Sequence, residues 1–137
     1  DRKRLAAEVF ADPAARLRLE AITHPRIAER VWAEAATLAA SGHRLAFYEA
    51  SLLVETGRHT EFDGLVVVTA SPEQQLARAT ARDGSTRAAV EARMRAQLPL
   101  ADKLRVATAV IDNDGDLAAT RRQVEALVAD LRPRATP

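Results

Sequence analysis

The residues best suited to chemistry lie in the run Gln75-Leu76-Ala77-Arg78-Ala79-Thr80-Ala81-Arg82-Asp83-Gly84. On a helix, Gln75, Arg78 and Arg82 share one face at i, i+3 and i+7, and Leu76, Ala79 and Thr80 form the other. Two guanidinium groups one turn apart can grip two phosphates, or one can lie over a purine while the other holds phosphate oxygens. A solvated helix face is the alternative reading of the same pattern. The break at Asp83-Gly84, after which a helical pattern resumes, favours a mobile lid. A second stretch, Glu49-Ala50-Ser51-Leu52-Leu53-Val54-Glu55-Thr56-Gly57, follows an apolar run that reads as a strand, and open parallel sheets bind ligands beyond such strand ends. Glu49 and Glu55 are candidates there for polar or metal-water contacts, and an exposed loop anchored by Leu52-Leu53 is the other reading. His24 reads as a helix N-cap. No histidine pair has metal-ligand spacing, so no protein-only metal site is assigned.

These groups need elements to position them. Leu5 and Val9 belong to an amphipathic segment expected to end near Phe10, and a second helix carries Leu17 and Leu19 to Ile22. Pro25 suits a first helical position, and the helix it opens places Ile27, Val31, Ala35 and Leu38 on one face before Ser41-Gly42 stops it. Strands are expected at Leu45–Glu49, at Leu65–Val68 and at Ala109–Ile111; the second, β-branched and apolar on both faces, reads as interior. Ser71-Pro72 opens a helical excursion to about Ala107, interrupted at Asp83-Gly84 and Leu98-Pro99. A last helix carries Leu117, Val124, Leu127, Val128 and Leu131 on one side, and Arg132 onward reads as a tail. Strands alternating with helices predict an α/β fold with parallel crossovers.

A chain of 137 residues with 47% hydrophobic content suffices for one domain. Its regions are expected at 1–43 (helical), 44–71 (sheet core), 72–107 (helical lid), 108–132 (last strand and helix) and 133–137 (tail). A net charge of +1 gives no global field for gathering nucleic acid or anionic membrane, so neither is an expected partner. The cations are eighteen Arg and two Lys in an Ala-rich background, which lowers the weight of any single arginine. The absence of cysteine excludes disulfides and thiolate chemistry. No apolar run approaches a membrane span, and a cytoplasmic protein fits. The opening residues read as the middle of an amphipathic segment, so the chain is expected to begin inside a larger one.

Together these segments resemble the dephospho-coenzyme A kinase family of the P-loop kinase superfamily. The resemblance runs through Asp1-Arg2 with Leu5 and Val9-Phe10, Leu19-Glu20-Ala21-Ile22-Thr23-His24-Pro25 and Leu52-Leu53-Val54-Glu55. It continues through Gln75-Leu76-Ala77-Arg78, Arg82-Asp83-Gly84, Arg93 with Gln97-Leu98-Pro99, Lys103, and Val110-Ile111-Asp112-Asn113 with Gly115. The order and spacing of the fragments make the match specific.

The resemblance implies a P-loop-kinase-like parallel sheet with flanking helices, a helical lid and a helical acceptor-binding insertion. It implies transfer of the γ-phosphoryl of ATP, with Mg2+, to the ribose 3′-hydroxyl of dephospho-coenzyme A. In similar kinases the residue matching Arg78 lies against adenine, Arg82 meets phosphate and Arg93 closes over the transferred group, so Arg82 and Arg93 are the implied catalytic residues. Asn113 and Gly115 match the loop bordering adenine; His24, Glu55, Gln97 and Lys103 match positions near the two substrates. Two departures stand out. The chain has no G-x-x-x-x-G-K-[ST], its five glycines being isolated at 42, 57, 64, 84 and 115, and the family's catalytic aspartate follows that loop. Ser51 stands where the family has proline, and Glu49 where many members have an aspartate or an apolar residue. The expectation is a kinase fragment short of its first strands, about 60 residues or two strand–helix units. The alternatives are a non-catalytic nucleotide- or coenzyme A-binding or interaction domain derived from such a kinase, and another small-molecule P-loop kinase.

Overall fold

The computed structural model describes residues 1, 5, 8, 9 and 12–135, in two compact units, Asp1–Tyr48 and Glu49–Ala135. The first is built on helix α1, Pro13–Ala40. Asp12 caps it by accepting the Ala14 N–H at 2.8 Å, and Pro13 occupies the first turn, where its missing N–H costs nothing. At the other end Gly42 takes φ 83°, the Gly42 N–H bonds the Ala39 carbonyl at 2.9 Å, and the His43 N–H bonds the Leu38 carbonyl at 3.0 Å. This paired closure is the reason Ser41-Gly42 stops the helix as expected.

Two expectations for this unit are corrected. No break occurs at Thr23-His24-Pro25: the helix runs through Pro25, so His24 is an interior helical residue and not a cap. The starting signal belongs to Asp12-Pro13, and a proline deeper in a 28-residue helix removes one backbone bond while many remain. Thr23 Oγ1 donates to the Leu19 carbonyl at 2.9 Å just before the proline, a back-bond that accompanies helix bending. Leu45–Tyr48 forms no strand and Phe47 is 60% exposed. A strand is completed by its neighbour's hydrogen bonds, and this run has no ladder partner among the described residues. Leu5 and Val9 are helical; Phe10, the expected end of that helix, lies outside the described residues.

The second unit begins with a 3₁₀ turn at Arg58–Glu61 and continues with β1 (Val66–Thr69), α2 (Pro72–Asp83), α3 (Arg87–Arg95), α4 (Leu100–Arg105), β2 (Ala109–Asp112) and α5 (Leu117–Arg134). The two strands pair in parallel, with Val66 opposite Ala109 and Thr69 opposite Asp112. The connection between them is the expected excursion, broken where Gly84 adopts the left-handed conformation (φ 59°) and again before α4. This is an α/β arrangement, a small parallel sheet with flanking helices. Its buried apolar residues are Val67, Leu76, Val90 and Ile111, one each from β1, α2, α3 and β2; α4 packs on β1 and α5 on β2. β1 is expected to be an interior strand, but among the described residues β2 is its one ladder partner, which leaves one edge unpaired there, and on its faces Val67 is buried while Val68 is 58% exposed. Leu117, expected on the apolar side of the last helix, is 75% exposed, since it directly follows the cap Asp116, at the end of the helix. That helix continues through Pro133 to Arg134, past the expected start of the tail. No helix among the described residues is long and apolar enough to cross a membrane.

Candidate functional site

Thr69 and Asp112 end the two strands side by side, and the segments that follow are tied together. The Asn113 N–H bonds the Thr69 carbonyl at 2.8 Å, and Asn113 Oδ1 accepts from Thr120 Oγ1 at 2.9 Å. Arg78 Nη1, from α2, donates to the Asn113 carbonyl at 2.7 Å. Asp114 accepts from both the N–H (2.9 Å) and the hydroxyl (2.7 Å) of Ser71, the cap of α2; these bonds, the hydroxyl first, hold its carboxyl below the usual range. Gln123 on α5 fixes Asp112 through both ends of its amide, donating to the Asp112 carbonyl and accepting its N–H. A Cβ at Gly115 would meet Ala119 Cβ at 3.6 Å, an ordinary contact, so this backbone does not itself require glycine there.

Beside these strand ends lies an open cleft of about 610 Å³, lined by Arg78, Arg95, Gln97, Lys103 and Asn113 with Gln75, Met94 and residues 67–70. Lys103 Nζ, on α4, reaches Glu55 Oε1 at 2.7 Å and donates to Gln97 Oε1 at 3.0 Å, while the Leu98 N–H donates to Glu55 Oε1 at 3.2 Å. The two charged side chains are each 16% exposed. Burial, the largest influence on Glu55, raises its pKa, but the hydrogen bond from Lys103 and two backbone N–H groups outweigh it and the net shift is downward. Glu55 Oε2 is buried without a hydrogen-bond partner. A shallower depression of about 480 Å³ is lined by Ser71, Glu73, Gln74, Ala77 and Asp114. Its two carboxylates make it hostile to phosphate, so the cationic cleft is the better ligand site.

Arg82 and Arg93 stand together at another point. Asp83 accepts from Arg82 Nε at 2.7 Å and Nη2 at 3.3 Å, and from Arg93 Nη1 at 2.9 Å. Arg82 first, then Arg93, lower the Asp83 pKa to about 2, and Asp83 in turn raises that of Arg82.

The structure thus brings Glu55, Gln97 and Lys103 into one network, gathers Arg78, Gln97, Lys103 and Asn113 around one cleft, and pairs Arg82 with Arg93 through Asp83. His24 belongs to α1, in the first unit. Sequence reasoning misses Arg95 and Met94 in the cleft, Asp83 as a shared acceptor, and Thr120 and Gln123 as the clamps on Asn113 and Asp112. Only Asp83, adjacent to Arg82, carries any local signal. Among the described residues no group of three or more His, Cys, Asp or Glu side chains converges as a metal site.

The family described as dephospho-CoA kinase matches residues 1–119. The dephospho-CoA kinase of Anaeromyxobacter dehalogenans is 48% identical over 132 residues, covering 96% of this chain and 63% of that protein. That of Syntrophotalea carbinolica is 48% identical over 129 residues, covering 94% and 61%. A crystal structure from Thermus thermophilus superposes with TM-score 0.80 at 38% identity, over 96% of this chain and 67% of that one. The dephospho-CoA kinase from Campylobacter jejuni gives 0.66 at 27% identity, over 99% and 67%. The chain spans 61–63% of the length of these two curated relatives. On this match the chain belongs to the dephospho-CoA kinase family.

Proposed function

We propose that the chain is the part of a dephospho-CoA kinase that grips the adenine and phosphates of ATP and closes over the transfer to the ribose 3′-hydroxyl of dephospho-coenzyme A. The observation that carries this reading is the Arg78–Asn113 bond at the strand ends, beside a cleft that also holds Gln97 and Lys103. Arg78 is fixed at one edge by the Asn113 carbonyl, which leaves its planar face for a purine and its other N–H groups for phosphate. Asn113 and the turn through Gly115 border the base. Arg82 and Arg93 supply charge to the transferring phosphoryl group, whose stabilisation and positioning dominate this chemistry. Gln97, Lys103 and Glu55 shape the phosphate side of the cleft, and His24 in α1 belongs to the acceptor side. The described residues do not build an Mg2+ site of their own; a magnesium ion held mainly by nucleotide phosphates and water is the arrangement compatible with them. A cytoplasmic location accords with this role, and neither nucleic acid nor membrane is required.

The test is an assay of the protein as expressed from its gene, with ATP and dephospho-coenzyme A, alongside a panel of other acceptors. Turnover with dephospho-coenzyme A is expected, and Arg78→Ala should raise the KM for ATP about tenfold, the worth of one guanidinium contact. The 137-residue chain by itself, without a glycine loop, should show none. Binding of either substrate without turnover by the gene's own product would favour a binding domain, and preference for another acceptor would overturn the assignment.

A further inference from the structure

The two arginines assigned to phosphoryl stabilisation carry like charge and sit on different helices, Arg82 in the last turn of α2 and Arg93 in the last turn of α3. Left to themselves they would move apart. Asp83, the last residue of α2, places one carboxylate between them, with its side chain 22% exposed. It receives Nε and Nη2 of Arg82 and Nη1 of Arg93. These bonds use only part of each guanidinium fork, so both arginines keep N–H donors for a ligand. The backbone turns directly after this residue, where Gly84 closes α2 in the left-handed conformation with its N–H on the Thr80 carbonyl at 3.0 Å. Thr86 then starts α3 by accepting the Ala89 N–H.

We propose that Asp83 is a positioning residue, which holds Arg82 and Arg93 as one unit and presents their remaining donors together to a single phosphoryl group. It rests on the kinase reading above for the identity of that group. Asp83 itself touches no substrate; its effect passes through the arginines. Its carboxyl, held low first by Arg82 and then by Arg93, stays ionised through the physiological range, so the bridge is not a pH switch. Because pre-set geometry matters most where charge develops, loss of the bridge should show in kcat more than in KM.

The experiment uses Asp83→Asn, Asp83→Ala and Asp83→Glu in the protein as expressed from its gene. Asp83→Asn and Asp83→Ala are expected to lower kcat about tenfold or more while leaving both KM values within about threefold, with partial recovery in Asp83→Glu. Independently of activity, the Nε–H resonance of Arg82 and the Nη–H resonances of Arg93, the groups that donate to Asp83, should both shift and exchange faster in Asp83→Asn. An unchanged or raised kcat would overturn the proposal, since Asp83 would then merely compete with the ligand. So would a resonance change confined to Arg82. If the parent shows no turnover the kinase reading falls, and the Arg93 resonance still decides whether the bridge exists. Should the asparagine variant fail to fold, the glutamate variant must keep the Arg93 resonance protected, and loss of that protection in a folded Asp83→Glu protein would also count against it.

Discussion

Lys103 shows what a single side chain does at this site. Its ammonium group meets one oxygen of Glu55 and the Gln97 carbonyl oxygen at once, and the two charged side chains are largely enclosed. Lys103→Met should therefore leave an enclosed carboxylate, costing about 1–3 kcal/mol of stability, less if Glu55 takes up a proton. The direction of the Glu55 shift sets the pH window. A carboxyl whose folded pKa is below its ordinary value of 4.5 adds stability above that value and loses it as pH falls through the folded pKa. Chemical denaturation of the gene's product at a series of acid pH values should show Glu55→Gln flattening that loss, and a slope identical to the parent's would refute the ion pair's role. At this scale the sequence is partly legible. Resemblance singles out Glu55, Gln97 and Lys103, but their mutual contact cannot be read, because they lie on segments joined by no period. His24 misleads because the proline after it looks like a start signal, whereas the carboxylate of Asp12 has already made the cap.

At the level of elements, Ser71 has two duties, capping α2 and anchoring Asp114 in the loop after β2. Ser71→Ala should cost about 1–2 kcal/mol, the upper part of the range for a cap, because a link between the two strand ends goes with it. Urea denaturation of the expressed protein would measure the loss, and amide exchange in the loop of residues 112–116 should quicken with it. Unchanged exchange there would limit Ser71 to capping. Elements that announce themselves locally are legible: Ser71-Pro72 as a start, Gly84 as a stop, and the β-branched run that forms β1. Leu45–Tyr48 is not, since its composition suits a strand but a strand also needs a neighbour, which lies beyond any local window. The helix through Pro25 fails for the converse reason: a local breaker is outvoted by the turns on either side of it.

For the whole molecule, the deciding quantity is how little apolar surface the described residues bury. The buried apolar residues among those described are Val67, Leu76, Val90 and Ile111, all in the second unit. Leu17, Ile22 and Ile27 on α1 stay exposed, as do Val68 and Val110 in the sheet. One edge of β1 carries backbone N–H and C=O groups with no strand beside it among the described residues, next to exposed valine. A domain of ordinary stability holds about 5–15 kcal/mol in reserve, the small difference between burial and chain entropy, and so small a core leaves little of it. The polypeptide of these 137 residues, prepared by itself, is therefore expected to keep its helical circular dichroism, bind a hydrophobic dye such as ANS, and lose structure over a broad temperature range. The m-value in urea should likewise fall below the range of about 1–3 kcal/mol/M for small domains, because less surface is newly exposed on unfolding. A sharp, reversible transition without dye binding, from a monomer at dilute concentration, would contradict this and mean that the β1 edge and the exposed α1 residues are covered in solution.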